Sequence, residues 1–108
     1  MIQSSTLNSL ADIVGPAFLG STNESLEKFV SDGTKLQYPP DAVVFPGNAK
    51  EISEILILAD KEGFPVIPRG AGTGMSGGAL SVKGGLVMAL ERLNRILLID
   101  SDNLIAKV

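Results

Sequence analysis

The residues best suited to binding chemistry lie in one glycine-rich segment, Arg69-Gly70-Ala71-Gly72-Thr73-Gly74-Met75-Ser76-Gly77-Gly78. Glycine allows a ligand to approach the backbone closely and permits positive φ angles, so successive N–H groups can converge on an anion. The hydroxyls of Thr73 and Ser76 add two donors, and Arg69 adds a fixed positive charge. The segment follows a predicted buried strand, and open α/β sheets bind ligands at the carboxyl ends of their strands. We therefore predict a phosphate or pyrophosphate site here, although a glycine run can also serve only to make tight turns.

Two named phosphate motifs can be compared with this segment. The glycines from Gly72 onward have the spacing of a P-loop, but Gly78 stands where that motif requires lysine. The segment is also a literal G-x-G-x-x-G, the dinucleotide-binding fingerprint, and Asp100 lies near the position of a ribose-binding acid. That fingerprint needs a helix over 78–90, whereas three glycines interrupt this stretch and 86–90 is an apolar run typical of a buried strand. A nicotinamide-binding domain stays as an alternative, which a strand at 86–90 would exclude.

Several function classes are excluded by composition. The 108 residues include no cysteine and no histidine, which excludes disulfides, thiol nucleophiles, His-ligated metals and a Ser-His-Asp triad. The net charge of −3 argues against nucleic acid as a partner. No apolar run approaches the roughly 20 residues of a membrane span and no targeting signal is visible, so we expect a cytoplasmic protein. Glu91, Asp100 and Asp102 are predicted to form a solvated turn, and no metal site is predicted.

A strand, a helix and a second strand are predicted to position the glycine-rich segment. Residues 42–45 form a short apolar strand, and Asn48 with Glu51 has the pattern of a capping box that begins a helix. Gly63 is the expected end of that helix, and 65–68 is a second buried strand. Short connections make this a βαβ unit with a parallel strand pair. The apolar stripe of the helix consists of Ile52, Ile55, Leu56 and Ala59.

The remaining pattern predicts one domain of the α/β or α+β class. Helical spacing of apolar residues predicts helices over 5–14 and 23–31. Three further strand-like runs are 86–90, 96–99 and 104–108. We divide the chain into an N-terminal helical segment, 1–38, and a sheet-forming part, 39–108.

The central motif resembles that of a known family. Pro65-Val66-Ile67-Pro68-Arg69-Gly70-Ala71-Gly72-Thr73-Gly74, followed by Ser76-Gly77-Gly78-Ala79, is similar to the signature of the FAD-linked oxidase superfamily, the group of vanillyl-alcohol oxidase and p-cresol methylhydroxylase. Flanking segments at 42–46, 50–52, 84–87, 93–96 and 99–100 match what precedes and follows that signature. Residues 10–15 resemble the start of the glycolate oxidase and D-lactate dehydrogenase branch. The resemblance covers nearly the whole chain.

The resemblance implies a fold and a cofactor. It implies an α+β fold, the first subdomain of a PCMH-type FAD-binding domain, with a small parallel βαβ sheet, flanking helices and an N-terminal helical appendage. In that family a glycine-rich loop holds the FAD pyrophosphate through backbone N–H groups. The positions that would do so here are Arg69, Gly70, Ala71, Gly72, Thr73, Gly74, Ser76, Gly77 and Gly78. Relatives that attach FAD covalently near this loop use a histidine, so non-covalent FAD is expected.

The resemblance also implies an activity for a longer protein. The family's FAD domain exceeds 108 residues and is followed by a substrate domain, so we expect an N-terminal piece of an enzyme that oxidises a small 2-hydroxy acid. Residues that bind the flavin ring and the substrate would lie beyond Val108, no catalytic residue is assigned here, and the piece alone is expected to be inactive. The alternatives are the nicotinamide-binding domain and a non-catalytic α/β interaction module. The apolar stretch 96–108 is expected to mediate self-association.

Overall fold

The computed structural model describes residues 2–22, 26, 40–70 and 85–108 of the 108-residue chain. Two α-helices, one 3-10 turn and six strands lie within these ranges. In chain order they are α1 (Ser4–Val14), a 3-10 turn (Pro16–Phe18), β1 (Leu19–Gly20), β2 (Ala42–Val44), α2 (Ala49–Glu62), β3 (Val66–Arg69), β4 (Leu86–Ala89), β5 (Leu98–Asp100) and β6 (Ile105–Lys107).

Helix α1 confirms the helix predicted over 5–14. It buries Leu10 and Val14, as its apolar spacing indicates, and also Thr6. Gly15 ends it with a φ of +92°, and the Gly15 N–H donates to the carbonyl oxygen of Ala11 at 2.8 Å. Of the helix predicted over 23–31, only Leu26 is described; it is helical and buried. The predicted boundary between 1–38 and 39–108 lies outside the described residues and stays a prediction.

Both ends of α2 are where the sequence predicts them. The Asn48 Oδ1 accepts a hydrogen bond from the Glu51 N–H at 2.9 Å. In return the Glu51 carboxylate accepts from the Gly47 N–H at 3.0 Å and from the Asn48 side-chain amide at 3.1 Å. Gly63 ends the helix in the left-handed region with a φ of +75°, and its N–H donates to the Ala59 carbonyl oxygen at 2.8 Å. This reciprocal capping satisfies backbone donors that a helix start leaves unpaired.

The predicted apolar stripe of α2 is correct at three of four positions. Ile55 is fully buried, Ala59 is buried and Ile52 packs half-buried against the core. Leu56 was predicted to be on the buried face, but 47% of it is exposed. A residue one position after Ile55 lies about 100° further around the helix, which here places Leu56 at the open flank. Leu58, which is partly buried, packs against the core instead.

The main sheet has the order β1-β2-β4-β3. Strands β2, β4 and β3 are parallel, with Val43 opposite Val87 and Val87 opposite Ile67, while the two-residue β1 runs antiparallel to β2. The prediction that the strands before and after α2 pair with each other was wrong, because β4 lies between them. All four residues of β4 are buried, and a strand that is apolar on both faces is most stable at the centre of a parallel sheet.

The core occupies both faces of this sheet. One cluster joins α1 and α2 to the sheet through Leu10, Val14, Ile55, Ala42, Val44, Leu86 and Met88. On the opposite face Leu26 packs with Val43, Val87 and Ala89. Alternation along β2 and β4 separates the two clusters, as expected of strands covered on both sides. The mixed sheet with packed helices confirms the α+β class.

A second, two-stranded sheet is formed by β5 and β6. They pair antiparallel, with Ile99 opposite Ala106. The strand-like runs predicted at 96–99 and 104–108 contribute its two strands, because Ile105–Lys107 pairs with Leu98–Asp100. Both strands of this hairpin lie largely in solvent, in contrast to the buried strands of the main sheet.

Candidate functional site

The two described residues of the predicted site, Arg69 and Gly70, lie at the carboxyl edge of the main sheet. Parallel strands β2, β4 and β3 all end at this edge. The backbone N–H of Leu90, just after β4, donates to the carbonyl oxygen of Arg69, the last residue of β3, at 2.9 Å. This bond holds the end of β3 against the centre of the sheet. The glycine-rich segment therefore leaves the sheet from the edge at which open α/β sheets bind ligands.

Arg69 is more deeply placed than the sequence indicates. It was predicted to flank the loop, but it is part of β3, opposite Ala89, and only 6% of it is exposed. A guanidinium never loses its charge in a protein, so burial concentrates a permanent positive charge at this edge. Coulomb attraction to an anion is stronger there than at a solvated surface. The position suits an anionic ligand.

Gly70 is the one glycine of the predicted site that the structure describes. It is exposed, and a Cβ built on it meets no heavy atom within 4 Å among the described residues. The described packing therefore does not account for glycine here, and its backbone remains accessible. The other predicted site residues lie outside the described residues, namely Ala71, Gly72, Thr73, Gly74, Ser76, Gly77 and Gly78. Their role stays a prediction.

A second arginine, which the sequence analysis missed, lies at the same edge. The Arg92 Nη1 donates to the Phe45 carbonyl oxygen at 2.7 Å and lies 3.8 Å from the Glu51 Oε1. Its guanidinium carbon is 3.7 Å from the centroid of the Phe18 ring, a cation–π contact. A Cβ added at Gly47 would lie 2.6 Å from the Arg92 Nη2. Arg92 thus joins the 3-10 turn, the end of β2 and the start of α2.

The opposite, amino edge of the sheet has different chemistry. The Asp41 Oδ2 accepts from the Gly85 N–H at 2.7 Å, and the Asp41 N–H donates to the Gly85 carbonyl oxygen at 2.9 Å. A cavity of about 120 Å³ opens beside this pair and includes Glu62 and Thr6 in its lining. Two carboxylates near the carboxyl end of α2 repel an anion, so the cavity does not suit phosphate.

The acidic residues near the hairpin make a turn. The Asp100 carboxylate accepts hydrogen bonds from the side-chain amide of Asn103 at 2.8 Å and from its backbone N–H at 3.2 Å. These bonds lower the pKa of Asp100 below its ordinary value. Over the described ranges, no cluster of three or more acidic, His or Cys side chains is arranged to hold a metal ion.

One alternative from the sequence is overturned. A nicotinamide-binding fingerprint requires a helix over 78–90, but Leu86–Ala89 is an inner strand of the sheet. The glycine-rich segment therefore connects two neighbouring parallel strands. No helix within the described portion is long and apolar enough to cross a membrane.

Comparison with known proteins places these features in a family. A family model described as an FAD binding domain matches residues 40–108. Glycolate oxidase subunit GlcD of Bacillus subtilis is 38% identical over an alignment covering 100% of this chain and 23% of that protein. A D-lactate dehydrogenase of Archaeoglobus fulgidus is 44% identical over 64 residues, covering 59% of this chain and 14% of that protein.

A solved structure has the same fold. The structure of p-cresol methylhydroxylase with substrate bound superposes with a TM-score of 0.75 at 16% identity, covering 92% of this chain and 21% of that chain. The present chain therefore spans less than a quarter of the length of each of these three proteins.

Proposed function

This chain belongs to the FAD-binding domain family, as its glycine-rich motif predicts, and from that membership we propose that it holds the FAD pyrophosphate in a flavin-dependent oxidoreductase. The observation that carries this assignment is the placement of Arg69. It lies buried at the carboxyl end of β3, directly before the glycine-rich segment and within the matched residues 40–108.

The donor chemistry of this edge fits a diphosphate. Arg69 supplies a permanent charge, and Gly70 leaves its backbone open where a side chain would shield it. Glycines at the following positions would let further N–H groups converge on phosphate oxygens. The proposed contacts come from Arg69, Gly70, Ala71, Gly72, Thr73, Gly74, Ser76, Gly77 and Gly78. The chain has no histidine, so we propose that FAD is bound here without a covalent link.

FAD, when bound, supplies hydride-accepting chemistry, and the protein supplies position and electrostatics. The role we propose for this chain is to bind the cofactor. The backbone bond between Leu90 and Arg69 fixes the end of β3, from which the Arg69 side chain extends. We assign no catalytic acid, base or nucleophile to residues 1–108.

The substrate class is proposed from the relatives. Two of them are named for glycolate and D-lactate, which are both small 2-hydroxy acids. We propose that the whole enzyme oxidises a substrate of this class. The present chain matches only 23% and 14% of those proteins, and the contribution we propose for it is the binding of the FAD phosphates.

Nuclear magnetic resonance can test the phosphate site on the 108-residue chain. We expect FAD and ADP at concentrations of about 1–5 mM to shift the backbone amide signals of residues 69–78, because both carry the diphosphate. Riboflavin has the flavin ring without phosphate and should leave these signals in place. Arg69→Gln should weaken the FAD-induced shifts at least about fivefold, since it removes the charge.

The matched control is Arg95→Gln, which removes the same charge from an exposed position of the linker before β5. It should bind FAD as the unchanged protein does. Shifts that riboflavin reproduces would place the flavin ring, rather than the diphosphate, at this edge. If FAD and ADP shift no signal in 69–78, this segment does not hold the diphosphate and the proposed role of Arg69 and the glycines is wrong.

A further inference from the structure

Glu51 places a carboxylate at the carboxyl edge of the main sheet. It lies in the first turn of α2, the helix that follows β2. Hydrogen bonds from the Gly47 N–H at 3.0 Å and from the Asn48 side-chain amide at 3.1 Å hold this carboxylate in place. The Glu51 side chain is only 19% exposed, so water screens its charge less than that of a solvated carboxylate. Without a nearby cation, this charge would oppose the binding of an anion at the same edge.

Arg92 is a cation beside this carboxylate, and its guanidinium is fixed by several contacts. The Arg92 Nη1 lies 3.8 Å from the Glu51 Oε1 and donates to the Phe45 carbonyl oxygen at 2.7 Å. The guanidinium carbon lies 3.7 Å from the centroid of the Phe18 ring. An added Cβ at Gly47 would lie 2.8 Å from the same carbon, so the glycine lets the guanidinium approach this closely. Arg92 therefore stays next to Glu51.

The ion pair matters more for the charge of this edge than for the stability of the fold. The Arg92 side chain is 34% exposed, and a partly exposed ion pair stabilises a protein little. The force that the pair exerts on a third charge depends instead on the sum of its two charges. With both residues present that sum is zero. Without Arg92 the edge would carry one more negative charge.

The ion pair and the proposed diphosphate site are close enough to interact. Val44 lies opposite Met88, which in turn lies opposite Pro68. Phe45 and Arg69 each come one residue later, so they are level with each other across the sheet. Two strand spacings separate them, a distance of roughly 10 Å. The Debye length is about 10 Å at 0.1 M salt and longer in dilute buffer, so charges this far apart still influence each other.

We propose that Arg92 is a positioning residue for anion binding at the carboxyl edge, which acts by cancelling the charge of Glu51 and without touching the phosphates. This proposal rests on the proposed function, because the anion concerned is the FAD diphosphate. The net charge of the Arg92–Glu51 pair then sets the affinity of the edge for that anion. A net positive pair strengthens binding, and a net negative pair weakens it.

Charge variants test this by titration of the 108-residue chain with ADP, followed through the amide signals of residues 69–78 at a constant ionic strength of about 50 mM. Glu51→Gln keeps the capping box, because glutamine also serves at that position, and should tighten ADP binding at least about twofold. Arg92→Met should weaken it at least about twofold. The double variant again has no net charge and should bind ADP as the unchanged protein does. Salt at about 0.5 M should abolish these differences.

Two controls separate charge from structure. Arg92→Lys keeps the charge without the planar fork, so ADP affinity should stay within about 1.5-fold of the unchanged protein even where stability falls. Glu62→Gln is the matched control, because it removes a carboxylate from the opposite end of α2. It should change ADP affinity less than about 1.5-fold.

The direction of the Glu51→Gln effect decides the outcome, since a purely structural role would make this variant bind ADP no better. Unchanged or weaker binding by Glu51→Gln overturns the proposal, as does a double variant that binds no better than Arg92→Met. If ADP shifts the signals of 69–78 but the variants do not differ, only the role of Arg92 is wrong. If ADP shifts none of these signals in the unchanged protein, the proposed function is wrong and the role of Arg92 with it.

Discussion

At the scale of single residues, Arg92 connects parts of the fold that are distant in sequence. It donates to the Phe45 carbonyl at 2.7 Å, stacks on Phe18 and lies 3.8 Å from Glu51. We predict that Arg92→Ala lowers the free energy of unfolding by about 1–2 kcal/mol, mostly through the lost hydrogen bond and cation–π contact. The partly exposed ion pair adds little. Urea denaturation measures the change.

Two further variants separate the geometry of Arg92 from its charge. Arg92→Lys keeps the charge but lacks the planar fork, so it should recover only part of the stability. Arg95→Ala removes an exposed arginine three residues later and should change stability by less than about 0.5 kcal/mol. If Arg92→Ala and Arg95→Ala lower the free energy of unfolding equally, the contacts of Arg92 do not contribute to stability.

The contrast between Arg69 and Arg92 shows what sequence can reveal about the site. Arg69 is recognised because it adjoins a glycine-rich motif, which is a local pattern. The acceptor of Arg92, the Phe45 carbonyl, is 47 positions away in sequence, and no periodicity reports such a contact. An arginine after a strand is more often a solvated charge, so the sequence alone assigns it no role.

Asp100 gives the hairpin a dependence on pH. The side-chain amide of Asn103, and then its backbone N–H, lower the pKa of Asp100 below the ordinary value of 3.8. A pKa lower in the folded than in the unfolded state stabilises the turn above pH 3.8, and this contribution is lost as pH falls through the folded-state pKa. We predict that Asn103→Ala raises the pKa of Asp100, as measured by the NMR titration of its carboxyl carbon.

Asn94→Ala is the control for that titration, because Asn94 is exposed and precedes β5. It should leave the pKa of Asp100 unchanged. If Asn103→Ala and Asn94→Ala give the same midpoint, the hydrogen bonds of the turn do not set the pKa of Asp100.

At the scale of elements, local rules account for α2 but not for the order of the strands. Asn48, Glu51 and Gly63 act on neighbours within four residues, so their pattern predicts both ends of the helix. The insertion of β4 between β2 and β3 depends on pairing across the whole chain, which no local pattern determines. β1 has two residues, too few for any periodicity to reveal.

Gly85, directly before β4, is the position at which we expect an added methyl group to destabilise the sheet most. Its φ is +87°, and an added Cβ would lie 2.5 Å from the Pro65 Cγ and 2.6 Å from the Pro65 carbonyl oxygen. That oxygen accepts the first bond of β4, from the Leu86 N–H at 2.9 Å, so it cannot move freely. We predict that Gly85→Ala destabilises the fold by about 2–4 kcal/mol, measured by thermal and urea unfolding.

Gly70→Ala is the matched control, since its Cβ would meet no described atom within 4 Å. It should alter stability by less than about 0.5 kcal/mol. Two glycine variants of similar stability would mean that the start of β4 relaxes around the new methyl group. If Gly70→Ala folds normally yet weakens the FAD-induced shifts, the open space at Gly70 is used by the ligand.

At the scale of the whole molecule, the chain spans about a quarter of the length of the glycolate oxidase subunit that it matches. The proposed site at the carboxyl edge of β3 would contact the diphosphate, and we assign none of its residues to the flavin ring. Association costs several kcal/mol before any net affinity appears, and phosphate contacts in water recover little of it. We therefore predict that residues 1–108 bind FAD with a Kd of about 100 µM or weaker, measured by calorimetry.

The state of the flavin ring gives an independent reading of the same prediction. If only the diphosphate is held, the ring stays in water, so its absorption spectrum and its quenching by iodide should match those of free FAD. Glycolate and D-lactate should leave the flavin oxidised, because no residue of this chain is assigned to the chemical step. A Kd below about 1 µM, a shifted spectrum or bleaching of the flavin would contradict the prediction. Any of these results would mean that the 108 residues contact the ring as well as the phosphates.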